Sequence, residues 1–331
     1  MDNRSVPVQG CLVISLDYEL LWGGIEKRFP EDYGQSNVKN VPEVLDRLVG
    51  LFEKYGVHAT VATVGLIMED DAVHALADVP KTTPSYKKGI LSPYNNDYIK
   101  SIKKENEPLY FSPDCVRKLH LSKNIEVATH TFCHYYCWED GQTIEEFRAD
   151  IQKAKELAQR CDVQLKSIVF PRNEVSDDYL KVCQENGITV YRGNPQMFFG
   201  MQKGRLKRII RRLLRMADNY IIISGHNTYN INELEEIEGC LNVPASRFLR
   251  PYSKKLKFLD GLRLRRIKKD IRYAAKHNQL YHLWWHPHNF GSHINENLAF
   301  LESILIEYRH CHEEYGMQSY TMNEVQEIKT R

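Results

Sequence analysis

The sequence has no uninterrupted apolar stretch approaching the ~18 to 20 residues that a membrane-spanning helix needs. No basic segment precedes its first apolar block, CLVISLD at 11–17, and that block runs into Asp17 and Glu19, which a signal peptide would not tolerate. These features predict a chain that stays in the cytosol. Its eight cysteines are scattered, without the spacing of a small disulfide scaffold, so reduced thiols in apolar or helical surroundings are expected. Net charge is nearly absent as well: 45 Lys and Arg against 43 Asp and Glu leave +2, a balance that singles out no class of partner. Internal repeats and low-complexity tracts are missing.

What is present is the composition of a globular enzyme-sized chain, with 42% hydrophobic and 27% charged residues over 331 positions. The apolar residues come in short blocks rich in β-branched side chains, at 11–17, 59–65, 125–129, 167–171 and 188–193. Amphipathic segments separate them. VPEVLDRLVGLFEKYG (41–56) has Pro42 in its first turn and ends on Gly56, and the segment at 143–161 opens with a Thr143/Glu146 capping box. Strands alternating with helices predict an α/β fold of parallel strands, whose chemistry lies beyond the carboxyl ends of the strands. Two stretches break the rhythm, a Pro-, Tyr- and Lys-rich loop at about 80–113 and an irregular region at about 196–280, so one domain over 1–331 with two insertions is expected.

Three clusters carry candidate chemistry. SLDYE (15–19) puts Asp17 and Glu19 at a strand end, where one carboxylate can bind a metal while the other stays free as a base; alone, such a pair is more often a cap or a solvated loop. EVATHTFCHYYCW (126–138) spaces His130 and His134 so that a helical turn would put both imidazoles on one ion. Cys133 and Cys137 fall in the same arc, so a closed Cys/His zinc site competes with an open catalytic one, and a metal-free reading also stands. LYHLWWHPHNFG (280–291) carries His282, His286 and His288 in an apolar strand that Pro287 should end near His286, which makes His286 the expected cleft residue.

With SLDYE, THTFCH, VFPRNEV and LWWHPHN in this order, the chain resembles the metal-dependent polysaccharide deacetylases, carbohydrate esterase family 4, and within them the subset found in bacterial surface-polysaccharide and O-antigen gene clusters. The resemblance implies a deformed (β/α)7-type barrel with parallel strands. It implies one divalent ion, zinc foremost, held by Glu19, His130 and His134; Asp17 as the general base, paired with Arg172; and His286 as the general acid. Glu19 stands where the family commonly has aspartate, and Arg172 follows its proline instead of preceding it. The implied reaction is removal of an N-acyl group, most simply N-acetyl, from an amino sugar of a surface glycan or its lipid-linked precursor. N-formyl amides and O-acetyl esters are alternatives for the same apparatus, and a catalytically silent glycan-binding relative is the rival from another class.

The segment SRFLRPY suggests Arg247, Arg250 and Tyr252 as a substrate rim. Residues 201–216 hold a run of Lys and Arg with Leu206, Ile209, Ile210, Leu213 and Leu214 at helical spacing, and a second basic cluster follows at 254–272. Solvated helix faces and a peripheral membrane contact are both open readings of these clusters. Nucleic acid is not expected, because no aromatics are interleaved with the charges, and no obligate protein partner is inferred.

Overall fold

The computed structural model describes residues 9–27, 29–195, 217–218, 220, 222–223 and 225–330. Its strands are β1 (Cys11–Tyr18), β2 (Ala59–Thr63), β3 (Ile125–Thr129), β4 (Ser167–Ile168), β5 (Val190–Tyr191), β6 (Glu236–Ile237), β7 (Cys240–Asn242), β8 (Arg247–Phe248), β9 (Leu280–Trp285) and β10 (Gln318–Tyr320). The helices are α1 (Val41–Tyr55), α2 (Ala72–Ala77), α3 (Pro113–Leu121), α4 (Ile144–Arg160), α5 (Asp177–Glu185), α6 (Asp260–Lys276), α7 (Ile294–Tyr315) and α8 (Met322–Lys329).

β1 is buried at all eight positions, as a strand covered on both faces must be, and it runs parallel to β2, β9 and β10. From there the sheet continues through β3, β4, β5 and β7, all parallel, with β6 as an antiparallel addition at β7. The stretch 240–248 joins the two ends of this curl. Val243 N and Ala245 N donate to Tyr191 O and Gly193 O beside β5, whereas Ser246 N and Leu249 N donate to His282 O and Trp284 O of β9. β7 and β8 thus share one position in a deformed (β/α) barrel of seven parallel strands.

Part of the region expected to be irregular, at about 196–280, is therefore barrel wall. Pro244 has no N–H and interrupts the ladder, but the residues around it bond to both neighbours and form barrel wall. The insertion at 80–113 holds three short 3-10 helices and no strand, at Gly89–Leu91, Ile99–Ser101 and Lys104–Leu109. It is tied to the barrel mouth where the Trp22 indole N–H donates to Tyr110 O (2.7 Å). The basic segment 201–216 lies outside the described residues.

Local signals account for the main helices. α1 closes on Gly56 at φ 64°, a left-handed cap that glycine adopts without strain, and turns Val44, Leu45, Leu48 and Phe52 inward. In α4 the Thr143 side chain accepts from Glu146 N (3.3 Å) while the Glu146 carboxylate accepts from Thr143 N (3.0 Å). Its buried face, Phe147, Ile151, Ala154 and Leu157, also carries Asp150 into the interior. No helix among the described residues is long and apolar enough to cross a membrane.

Candidate active site

The side chains of the site gather at or beyond the carboxyl ends of strands. Asp17 and Glu19 come from the end of β1, His130 directly follows β3, Arg192 directly follows β5 and His286 directly follows β9. Glu19, His130 and His134 are all buried and offer ligand atoms within 4.8 Å of one another, the one such group among the described residues. Glu19 Oε2 lies 2.9 Å from His134 Nε2 and 3.8 Å from His130 Nε2.

The donor set fits a divalent ion. His130 Nδ1 donates to Val169 O (2.7 Å), which fixes the tautomer and leaves the Nε2 lone pair facing Glu19. Burial, against the pull of Asp17, holds this imidazole down to about 4, so it is neutral as a ligand must be. The longer Glu19 side chain is accommodated by Gly23: a Cβ there would stand 1.9–2.3 Å from the Glu19 carboxylate atoms. Glu19, His130 and His134 would hold the ion, two imidazoles and a carboxylate being a donor set that zinc accepts.

The histidine pair does not converge through a helix. Residues 130–136 are irregular, and Thr131 (φ 66°) and His134 (φ 59°) are left-handed, which brings the two rings to a centroid separation of 5.0 Å. Asp150 holds this loop from α4, accepting from Phe132 N (2.6 Å) and Cys133 N (3.0 Å). The same backbone turns Cys133 and Cys137 into the core, where burial pushes both thiols well up. They are no part of the ligand cluster, and the closed Cys/His site is not formed.

Asp17 is gripped by Arg192, not by Arg172. Arg192 Nη1 and Nη2 donate to Asp17 Oδ1 (2.6 Å) and Oδ2 (2.8 Å). The guanidinium is fully buried, lies 4.1 Å from the Trp284 ring and donates further to Ser15 Oγ (3.0 Å) and Asn173 Oδ1 (2.9 Å). Behind it, burial and the Arg192 charge depress His282 to about 3. Neutral His282 therefore donates from Nδ1 to Val243 O (3.1 Å) and accepts the Ser15 hydroxyl at Nε2 (2.8 Å). Burial alone would raise the Asp17 pKa, but the Arg192 charge and hydrogen bonds, with His286 and His130 nearby, hold it below the ordinary carboxylate range.

Arg172 sits outside this network. Its left-handed backbone (φ 56°) turns it toward the surface, where it pairs with Glu139 (2.7 Å) and covers the Tyr136 ring at 3.9 Å. The PRN turn reaches the site through Asn173 instead. His286, 21% exposed, has Nε2 3.7 Å from Asp17 Oδ2 and 3.5 Å from Glu19 Oε1, and His288 Nε2 lies 3.6 Å from Glu19 Oε1 at full burial.

Of the expected rim residues, Arg247 is turned into the barrel wall. Arg247 is buried in an ion cluster with Asp218 (3.5 Å) and Asp270 (3.4 Å), because a charge inside the wall must be paired there. Arg250 is half-buried, and its carbonyl accepts from Arg263. Tyr252 packs edge-on against His293 (5.2 Å). From this segment it is Phe248 whose ring meets His286, at 5.9 Å.

A family model described as polysaccharide deacetylase matches residues 32–191. Among solved structures the chain is similar to a candidate polysaccharide deacetylase from Mycobacterium smegmatis, 13% identical, over 98% of this chain and 91% of that one, with a TM-score of 0.59. It is also similar to the α-amylase AmyC of Thermotoga maritima, 11% identical over 96% and 74% of the two chains (TM-score 0.56), and to a GH57-type branching enzyme of Pyrococcus horikoshii, 11% identical over 96% and 70% (TM-score 0.53). At these identities the likeness speaks for the fold. No curated protein matches the chain. Residues 32–191 thus match a polysaccharide deacetylase family model, and the solved structures share the fold of the chain.

Proposed function

We propose that the protein is a metal-dependent N-deacylase that removes an acyl group, most simply acetyl, from an amino sugar of a bacterial surface glycan or its lipid-linked precursor. The observation that carries this reading is the buried Glu19–His130–His134 cluster lying beside an ionised Asp17 and a partly exposed His286 at one end of the barrel. A bound ion would lower the pKa of water and polarise the acyl carbonyl. Asp17, kept ionised and oriented by Arg192, takes the proton of the attacking water. His286 protonates the departing amine as the C–N bond breaks, which an amide requires because its anion is a poor leaving group. N-formyl and O-acetyl substrates present the same carbonyl to the same groups. The reading keeps the protein in the cytosol, at the inner face of the membrane when the substrate is lipid-linked.

Two measurements test it. Purified protein should contain near-stoichiometric zinc or another divalent ion and release acetate from N-acetylated amino sugars, and chelation should stop the release. Asp17→Asn should keep the metal and lose most turnover. A chain that binds no metal and cleaves neither amide nor ester supports the silent glycan-binding alternative instead.

A further inference from the structure

The loop after β8 leaves the barrel at the end that carries the candidate site, since Phe248 at its start packs on His286. Its base is pinned. Tyr252 N donates to Asn297 Oδ1 (2.6 Å), and Arg263 Nη1 donates to the carbonyls of Arg250 (2.6 Å) and Pro251 (3.2 Å). Beyond that base the chain turns outward into α6 with apolar side chains facing solvent: Leu256 is 40% exposed, Phe258 75% and Leu262 43%. Lys254, Lys255, Lys257 and Arg265 are exposed in the same stretch of chain.

The charge here is uncompensated. The one acid between 254 and 269, Asp260, is held by Arg263 at 3.0 Å. Among the described residues, the three lysines and Arg265 have no acidic partner within ion-pair distance. A phenylalanine and two leucines in one stretch with free cations match the two layers of an anionic membrane surface, with acyl boundary for the rings and chains and phosphate headgroups for the ammonium groups. A soluble polyanion would use the cations but leave Phe258 in water.

We propose that residues 254–262 dock the protein on an anionic phospholipid surface, so that the site end of the barrel faces the lipid. The docking stands on the loop itself and is independent of the deacylase reading.

The test is co-sedimentation of the full chain, at physiological salt, with vesicles of phosphatidylcholine with and without phosphatidylglycerol. The wild type should bind the anionic vesicles and not the neutral ones. Leu256→Ser/Phe258→Ser and, separately, Lys254→Glu/Lys255→Glu/Lys257→Glu should each weaken binding about tenfold or more. These side chains are exposed, so thermal unfolding of both variants should match the wild type. Absence of wild-type binding overturns the proposal. So does vesicle binding that both variants retain, which would assign the contact to another segment. Binding that is indifferent to Leu256 and Phe258 and is competed by soluble polyphosphate also overturns it, in favour of a polyanion site.

Discussion

Arg192 and Asp17 are 175 residues apart in the chain and form a bidentate pair with both members buried, at 2.6 and 2.8 Å. Removing one member leaves the other charge in the barrel without compensation. Arg192→Met should therefore cost about 3–5 kcal/mol of stability and abolish turnover. Arg172→Ala, which breaks a partly exposed pair with Glu139, should cost no more than about 1 kcal/mol and leave most turnover. Chemical unfolding with an acetate-release assay checks both; equal losses for the two would refute the assignment of Arg192 to Asp17.

Gly23 predicts a separation of metal affinity from stability. The nearest atoms a methyl group there would meet are the tip of the Glu19 side chain, a flexible end that can give way but then no longer faces the two imidazoles. Gly23→Ala should weaken zinc binding about tenfold to a hundredfold in a competitive chelator titration, with the unfolding temperature of the metal-free protein nearly unchanged. Unaltered affinity would show that Glu19 is not a ligand.

Asp150 organises the loop that carries the two imidazoles through its bonds to Phe132 N and Cys133 N. Asp150→Asn keeps one carbonyl acceptor and turns an amide N–H₂ against a backbone N–H, so either Phe132 N or Cys133 N is left unpaired in the core. A loss of about 1–3 kcal/mol is expected, and Asp150→Ala should be worse. Zinc affinity should fall with stability in both, the opposite of the pattern expected at Gly23.

The depressed pKa of Asp17 sets an acid limit on stability. Its folded value lies below the ordinary 3.8, so the folded state resists protonation. The stabilisation from this group is complete above about pH 4 and is lost as pH falls through the depressed folded value. Thermal unfolding followed from about pH 5 downward should show Asp17→Asn, already destabilised at neutral pH, losing less further stability on acidification than the wild type. Parallel curves would mean that Asp17 is not held ionised by its surroundings.

Much of the scaffold was legible in local pattern. The apolar blocks that lead into Asp17, His130 and His286 are strands, and Pro42, Gly56 and the Thr143/Glu146 box stand at the ends of the two helices expected there. The apolar block ITVYRG also held an unread signal, since an arginine at the end of a buried strand must find an anion. Arg172 stands in the VFPRNEV stretch whose family resemblance implies its pairing with Asp17, but two left-handed residues in that turn redirect it outward while Asn173 points in.

The sequence by itself determined the short-range features, namely strand and helix periods, caps, and the presence of carboxylates and imidazoles at strand ends, because each is encoded within a few consecutive residues. Only the tertiary structure decided that Arg192 neutralises Asp17, that Gly23 makes room for Glu19, that Asp150 braces the histidine loop and that Arg247 belongs to the wall. Those outcomes depend on which strands are neighbours and on how a buried charge or an unpaired N–H is compensated across the barrel. Side-chain spacing along the chain carries no record of either.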